Sequence, residues 1–174
     1  MMEIQIKPVD SNNITKLQEI CQSYINTFPK DERRDEAGFR ALARKEFFPI
    51  REIIRGEDSV GYIIVWDLSL CLFVEHFEIY TSFRNQNLGS QVLNYLKNKF
   101  PLVILESEPD SLGELASRRL NFYQRNGFVI LDKSYIQPAY SKDKIPVNMY
   151  LLGTNMSDDL CFVTEEIKSK VYNS

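Results

Sequence analysis

Apolar residues recur along this chain with two different spacings, and the switches between them mark out the elements. Residues 2–8, MEIQIKP, alternate apolar and polar with the period of two that a strand requires, and Pro8 ends the run. Asp10 and Ser11 then stand where a helix cap belongs. Across 14–28 the residues Ile14, Leu17, Ile20, Cys21, Tyr24, Ile25 and Phe28 return at steps of three and four, which places them on one helical face. Pro29 stops that helix. Asp31 restarts a second one through DERRDEAGFRALARKEF, with acids early and bases late, as the helix dipole favours.

Residues 49–80 predict three strands, around PIREIIR, SVGYIIVWDL and LCLFVEHFEIY, separated by turns at 56–58 and 67–69. An antiparallel meander is the natural local arrangement. A helix from Gly89 to Lys99, the strand PLVILESE, a helix from Ser111 to Arg125 and a strand beginning at Gly127 follow. The 71–80 strand reaches the 102–108 strand through a helix, a crossover that makes the two parallel. After a polar loop with Pro138 and Pro146, VNMYLLG predicts a last strand, and SDDLCFVTEEIKSKVY a short helix capped by Ser157 or Asp158. This order predicts the α/β (α+β) class: a mixed, mostly antiparallel central sheet flanked by helices.

Composition narrows the setting. At 174 residues and 44% hydrophobic, the chain fits a single domain over 1–174 with a core that requires no staples. The opening MMEIQIKPVDSN lacks a basic run leading into an apolar one, and no stretch approaches the roughly 18 apolar residues of a membrane span. The expectation is a soluble, cytoplasmic protein with no membrane contact. The formal charge of -3 comes from interspersed acids and bases, so no basic face marks a nucleic-acid partner. Cys21, Cys71 and Cys161 are odd in number and set among apolar residues, so they are expected to be buried thiols. Nothing in their spacing points to a metal.

The chemistry concentrates in 74–93, VEHFEIYTSFRNQNLGSQVL. A strand ends near Tyr80, a polar turn follows, and a helix begins at about Gly89. Such a turn aims unpaired backbone N–H groups and the positive helix end at one point, where an anion, a pyrophosphate among others, is well received. Gly89 alone equally serves a plain turn.

RNQNLGS at 84–90 resembles the acetyl-CoA pyrophosphate loop of the GNAT N-acetyltransferases: Arg84 and Gly89 match, and Asn87 stands where the first glycine is usual. Asn tolerates positive φ better than other non-glycine residues, so the geometry survives the exchange. RRLNFYQRNGF at 118–128 resembles the family's second motif, a Tyr followed by Gly and Phe at the end of a helix. FPKDER, LESE and QPAY are similar to strings in a bacterial branch of that family. The resemblance spans roughly 50–153 and implies the GNAT acyl-CoA N-acyltransferase fold, with acetyl-CoA as co-substrate, no metal, and a small-molecule or peptide amine as acceptor.

By that resemblance, backbone groups of Phe77 and Ile79 hold pantetheine, and the amides of Gln86, Asn87, Leu88, Gly89 and Ser90 hold the pyrophosphate, aided by the Ser90 hydroxyl and Arg84. Tyr123 is the general acid for the departing thiolate, although it also continues the helical stripe Leu112, Leu115, Ala116 and would serve as a core aromatic. Glu75, on the strand parity of Phe77 and Ile79, is the first choice of base, with a water relay as the other route. His76 and Glu78 have the opposite parity and read either as acceptor contacts or as a polar strand face. Glu106 and Glu108 share parity at the end of the next strand. Arg119, at a stripe position expected to be apolar, pairs with one of them, shaping an acceptor cleft or merely covering the sheet. Phe28 and Arg33 line the acceptor pocket from the FPKDERRD loop, which also reads as a helix stop followed by a solvated charge run. The last strands offer a surface for a homodimer. A GNAT-fold acyl-CoA-binding or interaction module without turnover is the competing class. Asn87 favours that module; Tyr123 and Glu75 favour the enzyme.

Overall fold

The central run VGYIIVW is apolar at every position, and it folds as a strand buried on both faces, the arrangement such a run requires. The computed structural model describes residues 3–45, 47, 49–156 and 158–173. In chain order the elements are β1 (Ile4–Pro8), α1 (Ile14–Thr27), α2 (Glu36–Leu42), β2 (Ile50–Arg55), β3 (Asp58–Asp67), β4 (Leu72–Ile79), α3 (Leu88–Lys99) and β5 (Val103–Ser107). Then come α4 (Glu114–Arg125), β6 (Val129–Asp132), β7 (Ile136–Gln137), β8 (Val147–Asn148), β9 (Tyr150–Gly153), α5 (Leu160–Ile167) and a π-helical turn, Lys168–Tyr172. Seven strands form one sheet in the order β1-β2-β3-β4-β5-β9-β6, while β7 and β8 pair separately. Within the large sheet β4 and β5 run parallel, as the crossover requires, and the other neighbours are antiparallel.

The sheet divides the interior into two cores. One holds Tyr24 of α1, Phe39 and Leu42 of α2, Trp66, Phe73 and Ile104 of the sheet, and Val163 and Ile167 of α5. The other holds Val92, Leu93 and Leu96 of α3 and Leu120 and Tyr123 of α4 against Val65, Val74 and Leu105. Alternate residues of β3 and β5 serve the two sides, so strand periodicity sorts side chains between layers.

Local expectations fail where distant segments claim the same backbone. The helix expected from Asp31 is a single 3₁₀ turn, Lys30–Glu32, followed by extended chain and the short α2. The carbonyls of Lys30, Asp31, Glu32 and Arg33 accept from Lys144, Gln137, His76 and again Lys144, and the Arg34 amide donates to Tyr24 Oη at 2.7 Å. Distant donors thus hold these carbonyls in place of α-helical amides, and the Arg34 amide is committed to Tyr24. Helix α2 is capped by Asp35, which accepts from the Gly38 amide at 2.7 Å. Helix α1 is capped by Asn13, not by Asp10 or Ser11; Asp10 accepts instead from the Asn12 amide at 2.9 Å. VNMYLLG is interrupted at Met149, whose amide donates to Tyr135 O, so β8 joins β7 while β9 enters the main sheet.

At the C-terminus Asp159 precedes α5 without a side-chain cap bond; Asp158 is not the cap, and Ser157, the other expected cap, lies outside the described residues. Met2, Glu46 and Phe48, at the ends of predicted elements, lie outside them too. Cys21 and Cys71 are buried, but Cys161 is exposed, because it starts α5 on the face turned from the core.

Gly61 of β3 lies opposite Ile79, and a Cβ placed there would stand 2.1 Å from the Glu78 carbonyl oxygen. That contact is with backbone and cannot relax by a rotamer change. Gly61→Ala is therefore expected to destabilise the fold by about 1–3 kcal/mol, the usual cost of overpacking, read as a lower midpoint in urea denaturation.

Candidate functional site

Two strands that start as neighbours and then part create the principal cleft. β4 pairs with β5 through Leu72–Val103, Phe73–Ile104 and Val74–Leu105 only, although β4 continues to Ile79 and β5 to Ser107. Beyond Val74 the β5-facing edge of β4 has no strand partner, so it presents backbone groups to a cleft of about 650 Å³. The cleft is lined from β4, β5, the start of α3, the end of α4 and the loop after α1.

On the α3 side, Asn85 and Asn87 both take left-handed conformations, with φ of 62° and 60°. Asn87 is the residue that leads into α3, so the amides of Leu88, Gly89 and Ser90 fall in the first turn, where a helix supplies no carbonyl partner. Those three residues, with Asn87 and Arg84, line the cleft. A Cβ at Gly89 would lie 3.0 Å from the Phe122 ring, so the glycine lets α4 approach the helix start. Arg84 Nε donates to Ile79 O at 3.0 Å and Arg125 also faces this end, which makes the region cationic. Gln86 points its side chain away, accepting from Arg55 at 2.7 Å, and leaves only its main chain near the turn. Phe77 and Ile79 face the α3–α4 core and line the cleft with Tyr123. Tyr123 is buried, and burial raises its phenol above the ordinary value, so it stays protonated at neutral pH. The stripe that buries it is Ala116, Leu120 and Tyr123; Leu112 and Leu115, expected in that stripe, are exposed.

The opposite face of the cleft departs from the alternation expected along β4. A bulge places Ile64 opposite His76 and Val65 opposite Val74, so Glu75 is the extra residue. Glu75 is thereby turned onto the α1 face, away from Phe77 and Ile79, and joins His76 and Glu78 there. All three are buried, so His76 and Glu78 do not form a solvated strand face. Glu75 Oε2 accepts from Trp66 Nε1 at 2.6 Å, and Oε1 lies 3.1 Å from the buried Arg34 guanidinium. Arg34 also donates to Val171 O at 2.7 Å and packs over the Tyr140 ring at 5.0 Å. His76 Nε2 donates to Glu32 O at 2.9 Å, which leaves Nδ1 as the bare lone pair, 3.8 Å from Glu75 Oε1 and without a hydrogen-bond partner. Burial lowers the His76 pKa, so the ring is neutral at pH 7. Glu78 accepts hydroxyl bonds from Ser23 and Thr27 at 3.0 and 2.8 Å.

Glu106, Glu108 and Arg119 come together at the end of β5, and it is Glu108 that pairs with Arg119. Arg119 occupies the exposed side of α4 and not a buried stripe position. Glu106 accepts instead from the phenols of Tyr135 and Tyr172 at 2.6 and 2.7 Å, and burial pushes its carboxyl up to about 7. Glu32 lines the same region and is likewise raised to about 7, first by burial and then by the neighbouring Glu108 charge. Phe28 reaches the cleft with its ring centroid 4.5 Å from His76. Arg33 does not reach it: its guanidinium folds back onto the Phe28 and Arg34 carbonyls at 2.9 and 3.1 Å, carbonyls that have no helical amide to accept from.

Glu32, Arg34, Tyr135, Tyr140 and Tyr172 were not singled out by sequence reasoning. Glu32 and Arg34 sit in a charge run whose members look alike until folded, and the tyrosines lie in segments with no motif; QPAY, the one flagged string among them, contains Tyr140.

No model of a known protein family matches the chain. A candidate acetyltransferase of the GNAT family from Bacteroides thetaiotaomicron is similar in structure, with a TM-score of 0.85 and 27% identity over 98% of this chain and 99% of that one. The Bacillus subtilis protein YjbC, described as a candidate acetyltransferase, is 28% identical over 103 residues, 58% of this chain, which spans about half (52%) of the length of that relative. Arabidopsis thaliana Naa50, solved with a bisubstrate analogue joining CoA to an acetylated peptide, shares the fold at a TM-score of 0.59 and 17% identity, over 88% of this chain and 99% of that one.

Arg34 and Glu75 are each buried and each the other's counter-charge. Removing one strands the other in a low-dielectric interior, so Arg34→Ala is expected to cost about 3–5 kcal/mol of stability by chemical denaturation. A loss below about 1 kcal/mol would show that the pair has no structural role.

Proposed function

We propose, from the premise that the chain belongs to the GNAT family of N-acetyltransferases, that it transfers an acetyl group from acetyl-CoA directly to a primary amine of a small molecule or peptide. The observation that carries this reading is the left-handed Asn87 opening α3 beside the point where β4 leaves β5. The first-turn amides 88–90 and the positive helix end suit two linked phosphates, and the unpaired edge of β4 around Phe77 and Ile79 suits an extended chain with amide groups. Asn87 adopts the conformation a glycine would take, so the exchange at that position leaves the turn intact.

Acetyl-CoA supplies an activated thioester carbonyl. The chain supplies a protonated phenol, Tyr123, on the wall of the cleft for the sulfur that departs. On the opposite face stand Glu32, Glu75, Glu78, Glu106 and Glu108, and acidic walls receive an acceptor that arrives as an ammonium ion. The neutral His76, Phe28 and Glu32 bound the acceptor end, and Arg119 shapes it through Glu108.

The test is release of free thiol from acetyl-CoA by the purified chain across a panel of primary amines. Thiol release with at least one amine is expected; tight coenzyme binding with no release from any of them would make the chain a non-catalytic binding module. Tyr123→Phe is expected to lower kcat about a hundredfold or more with coenzyme affinity little changed, as loss of a general acid does. Equal turnover by that variant would remove Tyr123 from the reaction. Gly89→Glu places a carboxylate at the amide cradle and bulk against Phe122, and is expected to abolish coenzyme A binding in calorimetric titration.

A further inference from the structure

The carboxylates lining the cleft are not equally free to act. Glu75 is held between Trp66 and the Arg34 guanidinium, Glu78 by two hydroxyls with Arg84 3.8 Å away, and Glu108 by Arg119. Glu106 has no ion-pair partner among the described residues. Each of its oxygens accepts one phenol hydrogen bond, which fixes the carboxylate and leaves further lone pairs for another donor. Glu32 is also without an ion-pair partner, but it stands on the loop after α1 with no side-chain bond to hold it, whereas Glu106 is at the end of a core strand. A proton acceptor must be both free and fixed.

We infer that Glu106, rather than Glu75, takes the proton from the acceptor ammonium, and that Tyr135 and Tyr172 are positioning residues that hold it, which makes the C-terminal turn part of the acceptor site. The inference rests on the N-acetyltransfer reading above. In the step, the ammonium gives one proton to the ionised Glu106 carboxylate. The freed amine then forms the C–N bond at the thioester carbonyl, and the C–S bond breaks. Tyr123 protonates the leaving sulfur and regains a proton from the nitrogen, which must shed one more to become an amide. Glu106 passes its proton to solvent, so one proton is released per turnover. The groups facing Glu106 are Tyr135 before β7, Tyr172 of the C-terminal turn, Tyr140 of the loop between β7 and β8, Glu75 of β4 and Glu32 of the loop after α1. Burial and the two glutamates raise its pKa, while the Tyr135 and Tyr172 bonds lower it. A raised carboxyl is an active base above its pKa, so activity is expected to fall as pH drops through about 7.

The experiment compares the full-length chain with Glu106→Gln, Tyr172→Phe and Glu32→Gln, recording kcat/KM against pH by thiol release and titrating carboxyl bands by difference infrared spectroscopy without substrate. Glu106→Gln is expected to lose about a hundredfold or more in kcat, to lose the acid limb, and to lack one of the two carboxyl bands, those of Glu106 and Glu32, that titrate near pH 7 in the unaltered chain. Tyr172→Phe removes a bond to the ionised form and is expected to move limb and band to higher pH; Glu32→Gln removes a nearby negative charge and moves both lower. Opposite displacements would not arise from general loosening of the fold. The two milder variants decide the matter if Glu106→Gln does not fold. An unchanged acid limb in Glu106→Gln, or limb and band unmoved in both milder variants, overturns the assignment and leaves acetyltransfer standing. No thiol release by the unaltered chain from any amine sinks acetyltransfer itself, and this inference with it.

Discussion

Parallel pairing between β4 and β5 lasts for three residue pairs, and the rest of the functional geometry depends on its ending there. A sheet that stayed zipped would satisfy its own backbone and offer nothing to a ligand. By parting after Val74, the strands leave an edge of β4 without a strand partner along the cleft, where an extended chain with amides can act as a substitute strand. Two local devices support the opening. The bulge at Glu75 bends β4 as it leaves its neighbour, and Gly61 lets β3 follow β4 closely enough that a methyl group would collide with the Glu78 carbonyl.

The same opening separates two chemistries, because the sheet separates two layers. Toward α3 and α4 the cleft is lined by helix-start amides, arginines and a protonated phenol. Toward α1 and α5 it is lined by carboxylates and a neutral histidine. Cationic and acidic groups thus face one another across the gap where the strands have moved apart. The bulge sharpens this division: without it, Glu75 would sit beside Phe77 on the α3–α4 face, and Arg34 would have no counter-charge.

The acidic face of the cleft is assembled from parts distant in sequence. Arg34 ties β4 to the C-terminal turn through Glu75 and Val171 O, Tyr172 and Tyr135 reach Glu106, and Lys144 and Gln137 bond to the carbonyls of the loop after α1. Such a network is cooperative, since most of its bonds join segments distant in the chain. It also accounts for a single 3₁₀ turn where a longer helix is expected: the carbonyls there serve the network.

Wherever a local pattern was sufficient, the sequence by itself determined the outcome. Helical spacing in α1, the strand at β3, the crossover that makes β4 and β5 parallel, and a turn at 84–90 leading into α3 were all legible, because each depends on residues close along the chain. So was the left-handed Asn87, whose side chain tolerates that conformation. Tertiary structure alone decided the phase of β4 after its bulge, the late start and shortening to α2 of the helix expected from Asp31, the choice of Glu108 as partner for Arg119, and the clasp of two tyrosines on Glu106. Each of these is a competition between a local preference and a contact from tens of residues away. A bulge shifts every later side chain by one face, and the carbonyls at 30–33 are as ready to accept from Lys144, Gln137 or His76 as from their own helix, so the winner is fixed only once the distant donors are in place.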